Sequence, residues 1–334
     1  MRGKLFSHET HCHRAMRTLG DMGEKEVVRR LLDGIRSSAP IGPGDDAAAV
    51  DMGNYYLVVT TDLISVRTHM PEVMTDRQIG WMLAAVNYSD IAAMGAKPIG
   101  MVVSLALPRE TAFSSLKSMM NGMQDCSESV GAEILGGDTK ESPEMTLAGT
   151  ALGTVKKDRI LLRKGAKPGD YLAVTGTLGL AAAGYYALVK GLYCPSGVKA
   201  FLEPRPRVKE GLILSSSGAV TSCMDISDGL GSSVYQLSEM SGVSFSIDWD
   251  SVPIGKEVLR VASDCGMDPA ELALYYGGDY QLLFTMAPDK LPKLRSRMRS
   301  RMTIIGKAKR STRNTLKRDG RVVTLENRGY EHFR

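Results

Sequence analysis

The chain has 334 residues, 43% of them hydrophobic and 24% charged, with a net charge of +5. That is ordinary globular composition, with length enough for two domains that each bury a core. It contains no apolar run of about 18 residues, the length a membrane-spanning helix needs, and its first thirty residues are broken by histidine and charged side chains, unlike a secretory signal.

Residues 1–18 carry His8, His11, Cys12 and His13. The donor types suit a metal, but the stretch is polar and without periodicity, and reads as a flexible terminal arm. Periodicity begins near Glu24, where Val27, Val28, Leu31, Leu32 and Ile35 fit one helical face. The turn Ile41-Gly-Pro-Gly-Asp-Asp46 leads into a strand at Ala47–Val50. A second strand, Tyr55–Thr60, is expected to end at Thr61-Asp62. Gln78–Met94 reads as a helix stopped by Gly95 and Pro98. Met101–Leu107 is a strand, Thr111–Ser129 a helix, Glu133–Leu135 a short strand entering Gly136-Gly137-Asp138, and Thr146–Thr154 another strand. Past Lys156 come a strand at Tyr171–Thr175, the turn Gly176-Thr-Leu-Gly179, an alanine-rich helix to Lys190, and strands at Leu282–Met286 and Thr303–Lys307. This order predicts two α/β or α+β halves meeting near residue 155.

Charge is uneven. Residues 289–334 hold 15 Lys and Arg against 4 Asp and Glu, while residues 1–288 carry a net of −6. The basic stretch lacks the interleaved aromatics of a single-strand nucleic-acid binder, and Lys290–Arg301 reads as a solvated helix face. The five cysteines are widely spaced and include no CxxC pair, the usage of free thiols in a reducing cytoplasm.

Five acidic clusters carry the chemistry: Gly44-Asp45-Asp46, Thr60-Thr61-Asp62, Asn87-Tyr-Ser89-Asp90, Gly136-Gly137-Asp138 and Asp225-Ile-Ser227-Asp228-Gly229. Carboxylates and hydroxyls are the ligands of a hard cation such as Mg²⁺. An isolated Asp beside Gly is more often a turn or a helix cap, so the recurrence of the pattern carries the inference. Asp90 stands apart. It lies between Leu83-Ala-Ala-Val86 and Ile91-Ala-Ala-Met94, where an unpaired charge is costly. Either a cation or a structural Arg would supply its partner. The phosphate-loop pattern GxxxxGK[ST] is absent, as is the protein-kinase signature set. Phosphates would then be held through a bound cation.

Ile41-Gly-Pro-Gly-Asp-Asp-Ala, Thr60-Thr-Asp-Leu, Ala85-Val-Asn-Tyr-Ser-Asp-Ile-Ala-Ala-Met-Gly-Ala, Gly136-Gly-Asp-Thr, Arg163-Lys-Gly-Ala-Lys-Pro-Gly-Asp and Met224-Asp-Ile-Ser-Asp-Gly-Leu follow one another as in the thiamine-monophosphate kinase family. The chain resembles that family from about Leu19 onward. The resemblance implies a two-domain α+β / α/β protein of the aminoimidazole ribonucleotide synthetase-like superfamily. Its N-terminal mixed-sheet domain, residues 19–155, forms a barrel across a homodimer, and a C-terminal α/β sandwich domain spans 156–334. It further implies ATP-dependent phosphorylation of thiamine monophosphate. Asp46, Thr60, Thr61, Asp62, Asp90, Asp138, Asp225 and Asp228 match positions that hold Mg²⁺, with Asp90 and Asp228 acting in catalysis. Gly137, Asp138, Arg163 and Ser227 match nucleotide contacts, and His69 and Tyr330 match contacts to the acceptor. The same resemblance leaves two alternatives, another ATP-dependent enzyme of the superfamily or a non-catalytic Mg-nucleotide-binding regulatory dimer. One segment departs from the pattern. Where the family reads GGEDYELLFT with its Glu on the substrate, this chain has Tyr276-Gly-Gly-Asp-Tyr-Gln-Leu-Leu-Phe-Thr285, with Gly278 at the glutamate position. Either Asp279 takes over that contact or the acceptor pocket differs.

Overall fold

The computed structural model describes residues 17–299 and 301–333. The His8–His13 cluster lies outside them. Residues 17–36 with 331–333 form one unit, and residues 37–330 form another.

The first unit holds α1 (Leu19–Met22), capped by the Thr18 hydroxyl and the Asp21 carboxylate in a reciprocal box, and α2 (Glu24–Leu32). The expected apolar face of α2 is not buried: Val28 and Leu31 are exposed, and Ile35 falls beyond the helix end. In this stretch the 3.6-residue periodicity marks a helix without marking a core.

In the second unit the N-terminal part contains β1 (Ala48–Asp51), β2 (Tyr55–Ser65), α3 (Asp76–Ala93), β3 (Lys97–Leu107), α4 (Phe113–Ser129), β4 (Glu133–Glu141) and β5 (Thr146–Lys156). The strands form a five-stranded sheet in the order β1-β2-β5-β3-β4. All neighbours are antiparallel except β3 and β4. α3 opens on a capping box from Thr75 and Gln78 and is buried around nearly its whole circumference. Such a helix is a core element rather than a surface one. It packs between the sheet and α4.

The C-terminal part contains β6 (Tyr171–Thr175), α5 (Leu180–Lys190), α6 (Pro195–Leu202), α7 (Val208–Ser217), β7 (Val220–Ile226), α8 (Leu230–Ser241), β8 (Ser244–Asp248), α9 (Lys256–Asp264), β9 (Gln281–Met286), α10 (Leu291–Met298), β10 (Met302–Lys309), β11 (Thr315–Arg318) and β12 (Arg321–Thr324). Its seven strands run β12-β11-β8-β10-β6-β9-β7. Every residue of β9 is buried, as expected of a central strand covered on both faces. The two parts share one core. A single cluster runs from Leu83, Ile91 and Met101 through Leu214 to Cys223 and Phe284. The back of α3 thus lies against the seven-stranded sheet, which brings the end of β7 to the polar stretch of α3.

Several elements run further than their sequence patterns. β2 continues through Thr61 and Asp62 to Ser65, and pairs with β5 along its whole length. β4 continues through Gly136-Gly137-Asp138 to Glu141. Pro98 lies inside β3, where the register with β5 shifts between Pro98 and Gly100. A proline removes a ladder donor and is tolerated at such an irregularity.

Candidate active site

The pleat of β2 divides the cluster Thr60-Thr61-Asp62 between two faces. Successive strand side chains point oppositely. Thr60 is buried, Asp62 partly so, and both face α3; Thr61 and Leu63 are exposed on the other side. From α3, Asn87, Ser89 and Asp90 meet the inner face. Asn87 Oδ1 accepts from the Asp62 backbone N–H at 3.1 Å, while its amide donates to the Leu83 carbonyl at 2.9 Å. Gly149 makes room for that amide, since a Cβ there would lie 2.6 Å from Asn87 Nδ2. The Thr60 hydroxyl donates to Asp90 Oδ2 at 2.6 Å. From the other domain, Asp225 near the end of β7 accepts from the Ser89 hydroxyl at 2.6 Å. Asp46 enters from the turn before β1. Ligand atoms of Asp46, Asp90 and Asp225 all lie within 4.8 Å of one another.

A cation of the chain reaches this group. Arg163 follows a segment pinned at both sides: Leu161 N–H donates to the Met94 carbonyl and Cys223 N–H to the Leu162 carbonyl. Its Nη2 donates to Asp46 Oδ1 at 2.8 Å, its Nη1 to Gln236 Oε1 at 2.8 Å, and its backbone N–H to the Asp45 carboxylate at 3.1 Å. The structural Arg that Asp90 admitted as a partner is therefore spent on Asp46, and Asp90 bonds the Thr60 hydroxyl and Asp62 instead. Asp46 Oδ2 is buried without any hydrogen-bond partner.

Crowded burial makes these carboxyls hard to ionise together. Burial, then the charges of Asp62, Asp225 and Asp46, push Asp90 well above the usual carboxylate range. Burial and the Asp46 charge raise Asp225 to about 7, and burial followed by Asp46 raises Asp45 to about 6. Asp62 is raised by burial against a lowering bond from Asp90. For Arg163 burial, the largest single effect, works against the charge, but Asp46, Asp225 and Asp45 together hold the guanidinium above its ordinary value. Like charges and desolvation acting together are what a bound cation relieves. An orphaned inward oxygen and three convergent carboxylates fit an oxygen-seeking divalent ion.

Residues 44–155 match the family described as AIR synthase related protein, N-terminal domain, and residues 167–319 its C-terminal domain. A thiamine-monophosphate kinase of Pyrococcus horikoshii is 32% identical over 314 residues, covering 94% of this chain and 97% of that one. One from Methanospirillum hungatei is 37% identical, covering 86% and 92%. The chain belongs to the thiamine-monophosphate kinase family. A solved structure of AaThiL complexed with AMPPCP and TMP superimposes with a TM-score of 0.85 at 28% identity, covering 96% of this chain and 100% of that one. Two mixed-sheet domains of α+β type are thus the architecture of both.

The residues through which the chain resembles thiamine-monophosphate kinases do not all meet in this one chain. Asp46, Thr60, Asp62, Asp90 and Asp225 converge, with Arg163 beside them. Thr61 lies across the sheet, its hydroxyl donating to the Gly149 carbonyl at 2.8 Å and accepting from Thr150. Asp138 shares a ladder row with Ser104, Ala148 and Leu63. It is therefore on that same outer face, exposed and 3.3 Å from Lys140. Gly137 sits one row along, where an added Cβ would lie 2.1 Å from the Val103 carbonyl oxygen. Ser227 and Asp228 belong to the turn after β7, where the Ser227 carbonyl accepts from Gly278 N–H and the Asp228 carbonyl from Tyr330 N–H. His69 follows β2, with Nδ1 2.6 Å from the Thr68 hydroxyl.

The departure at Gly278 has a structural setting. Gly277 and Gly278 have φ of +92° and +78°, a region that favours glycine. The carboxylate of Asp279 is already engaged: Oδ2 accepts from Gly179 N–H at 2.6 Å and Oδ1 from Ala181 N–H at 3.1 Å, capping α5. Asp279 is therefore a cap rather than a replacement acid. Sequence reading also passed over Tyr280. Its N–H donates to the Ile226 carbonyl, next to Asp225, and burial, then the charges of Asp225, Asp62, Asp228 and Asp90, raise its phenol well above the ordinary value. Gln236, which steadies Arg163, carries no signal in sequence, because only the fold brings α8 to that loop.

Proposed function

We propose that this chain is an ATP-dependent kinase that converts thiamine monophosphate to thiamine diphosphate by direct in-line transfer of the γ-phosphoryl group, assisted by several Mg²⁺ ions. The observation that carries this reading is the meeting of Asp46 and Asp90 with Asp225, one buried carboxylate group assembled from both domains, with an inward oxygen of Asp46 unpartnered. Family membership supports the choice of substrates.

Asp46, Thr60, Asp62, Asp90 and Asp225 would hold the ions, with Asp228 joining during turnover. When bound, Mg²⁺ neutralises phosphate charge and aligns the attacking and leaving oxygens. The rest is the work of the chain's own groups. Arg163 fixes the orientation of Asp46, the Thr60 hydroxyl that of Asp90, and the Ser89 hydroxyl that of Asp225. No general base is required, because a phosphate monoester has a second pKa of about 6 and is largely dianionic at neutral pH. The obstacle is repulsion: two like unit charges about 4 Å apart repel by roughly 4 kcal/mol at an effective dielectric near 20. A site built of carboxylates serves by gathering cations against that repulsion. Gly137, Asp138, Arg163 and Ser227 are assigned to the nucleotide, and His69 and Tyr330 to the acceptor.

Thr61 and Asp138 lie on the outer sheet face together with the exposed Val50, Leu63 and Val102. That apolar surface supports a homodimer in which a second copy covers it and meets Asp138. No described helix is long and apolar enough to cross a membrane, and Cys126, Cys194, Cys223 and Cys265 are unpaired. The thiol usage supports a cytoplasmic enzyme.

The test is ADP formation from ATP and Mg²⁺ with thiamine monophosphate, against thiamine and an aminoimidazole precursor as rival acceptors. Turnover with thiamine monophosphate alone is expected. Preference for another acceptor, or labelling of the protein by γ-labelled ATP, contradicts the reading.

A further inference from the structure

A cavity of about 250 Å³ reaches from the residues packed on the start of α3 to Asp279 and Gln281, on either side of Tyr280. Its wall is tied to the start of that helix: the Trp81 indole donates to the Pro204 carbonyl at 2.7 Å, and Gln78 Nε2 donates to Glu203 at 2.9 Å. Three cations line the cavity, Lys199, Arg205 and Arg207, with Thr177 and Ser196 supplying hydroxyls. Two carboxylates also line it, and both are engaged. Asp279 caps α5, and Glu203 accepts from Gln78 with Lys199 3.9 Å away.

Arg207 is the feature that needs an explanation. Its Nε is buried and has no hydrogen-bond partner. Burial pulls its guanidinium below the ordinary value; the charges of Glu210 and Asp279 oppose that, and the neighbouring Arg205 charge adds to it. Of the two carboxylates that compensate it, Glu210 lies 3.9 Å from Arg301 and Asp279 caps α5. A guanidinium removed from water with a donor unmet costs stability unless an anion meets it. Arginine's planar fork is suited to phosphate oxygens. The remaining wall, Leu180, Ala200 and Pro204, is apolar and leaves room for a small organic group beside the anion.

We propose that this cavity is a second anion-binding site, separate from the carboxylate cluster, which takes the phosphate group of inorganic phosphate or of a small phosphomonoester on Arg207, Arg205 and Lys199. The site stands on its own geometry and does not depend on the kinase reading. The wall residues Asp279 and Gln281 flank Tyr280. An occupant therefore touches the segment that carries Gly278 and packs on Ser227.

The experiment is calorimetric titration of inorganic phosphate, and separately of glycerol phosphate, into the full chain freed of metal with EDTA. Metal removal silences phosphate binding through cations at the carboxylate cluster. Saturable binding of at least one probe, at one site per chain, is expected, and the tighter probe identifies the source of the phosphate group. Arg207→Gln is expected to weaken binding about tenfold or more, the loss of a charge-assisted hydrogen bond. The double variant Lys199→Gln/Arg205→Gln alters exposed side chains and tests the site even if Arg207→Gln fails to fold. It too is expected to weaken binding, whereas Asp90→Asn is expected to bind as the parent does. Absence of saturable binding by both probes overturns the proposal. So does equal affinity in the double variant, or loss of binding in Asp90→Asn, which would put the phosphate at the carboxylate cluster.

Discussion

Two acidic regions of this molecule look alike in sequence and are physically opposite. Gly44-Asp45-Asp46, Asp90 and Asp225 are gathered from a turn, a buried helix and a strand end into one enclosed group. Gly136-Gly137-Asp138 lies along an edge strand whose side chains are almost all exposed. At the first, desolvation and mutual repulsion raise Asp90 and Asp225, and an oxygen of Asp46 is left orphaned. At the second, within one chain, the Asp138 carboxylate is exposed and lies 3.3 Å from Lys140. The lesson is that an acidic residue acquires a demand for a cation from burial and company rather than from its place beside glycine.

The largest effect that sharpens this contrast is on turnover. Asp90→Asn removes a carboxylate from the enclosed group and should lower kcat by about a thousandfold, since the charge stabilisation at stake is several kcal/mol. Steady-state kinetics at saturating ATP and Mg²⁺ checks it.

The next is a pH effect, read by thermal melting in EDTA. Asp225 and Asp45, at about 7 and about 6, have folded values above the unfolded value of about 4. The folded chain therefore holds more protons than the unfolded chain across that window, and stability falls as pH rises through it. The melting temperature should be lower at pH 8 than at pH 5. Mg²⁺ should restore more of it at pH 8, because binding requires the deprotonated carboxylates. An unchanged melting temperature across the window would remove the distinction between the two regions.

Smaller effects lie in the segment that departs from the family pattern. Asp279→Ala strips the cap from α5 and should cost about 2 kcal/mol in urea denaturation with little change in slope. The smallest difference belongs to the open region. Asp138→Asn should move stability by less than about 0.5 kcal/mol, as exposed ion pairs do. If Asp138 serves the nucleotide, the same variant raises KM for ATP. A large stability loss there would break the comparison from the other side.

Much of this was legible in the chain itself. Gly95 and Gly191 sit where α3 and α5 stop, and Tyr171–Thr175 is a strand with the expected ends. Asp90 among alanines announced the site, because an apolar helix does not carry a charge idly. What stayed hidden depended on partners distant in sequence. Thr61-Asp62 read as a strand end because its polarity resembles a turn, yet β5 pairs with it across 88 residues. Continuation of β2 then sent Thr61 and Asp62 to opposite faces. Asp279 resembled a free acid, and only the approach of α5 made it a cap. Arg163 and Arg207 are both arginines next to prolines, glycines or lysines in sequence. Both lack a partner at Nε, but Arg163 meets Asp46 through Nη2 while Arg207 lines a cavity, a difference that local pattern does not encode.

The account rests most directly on the enclosed carboxylates being a cation site. The decisive measurement is calorimetric titration of Mn²⁺, as a stand-in for Mg²⁺, into EDTA-stripped protein and its Asp225→Asn variant. The account predicts saturable binding in the parent that weakens at least about tenfold when the Asp225 carboxylate is lost. Equal affinity in the two proteins would contradict it.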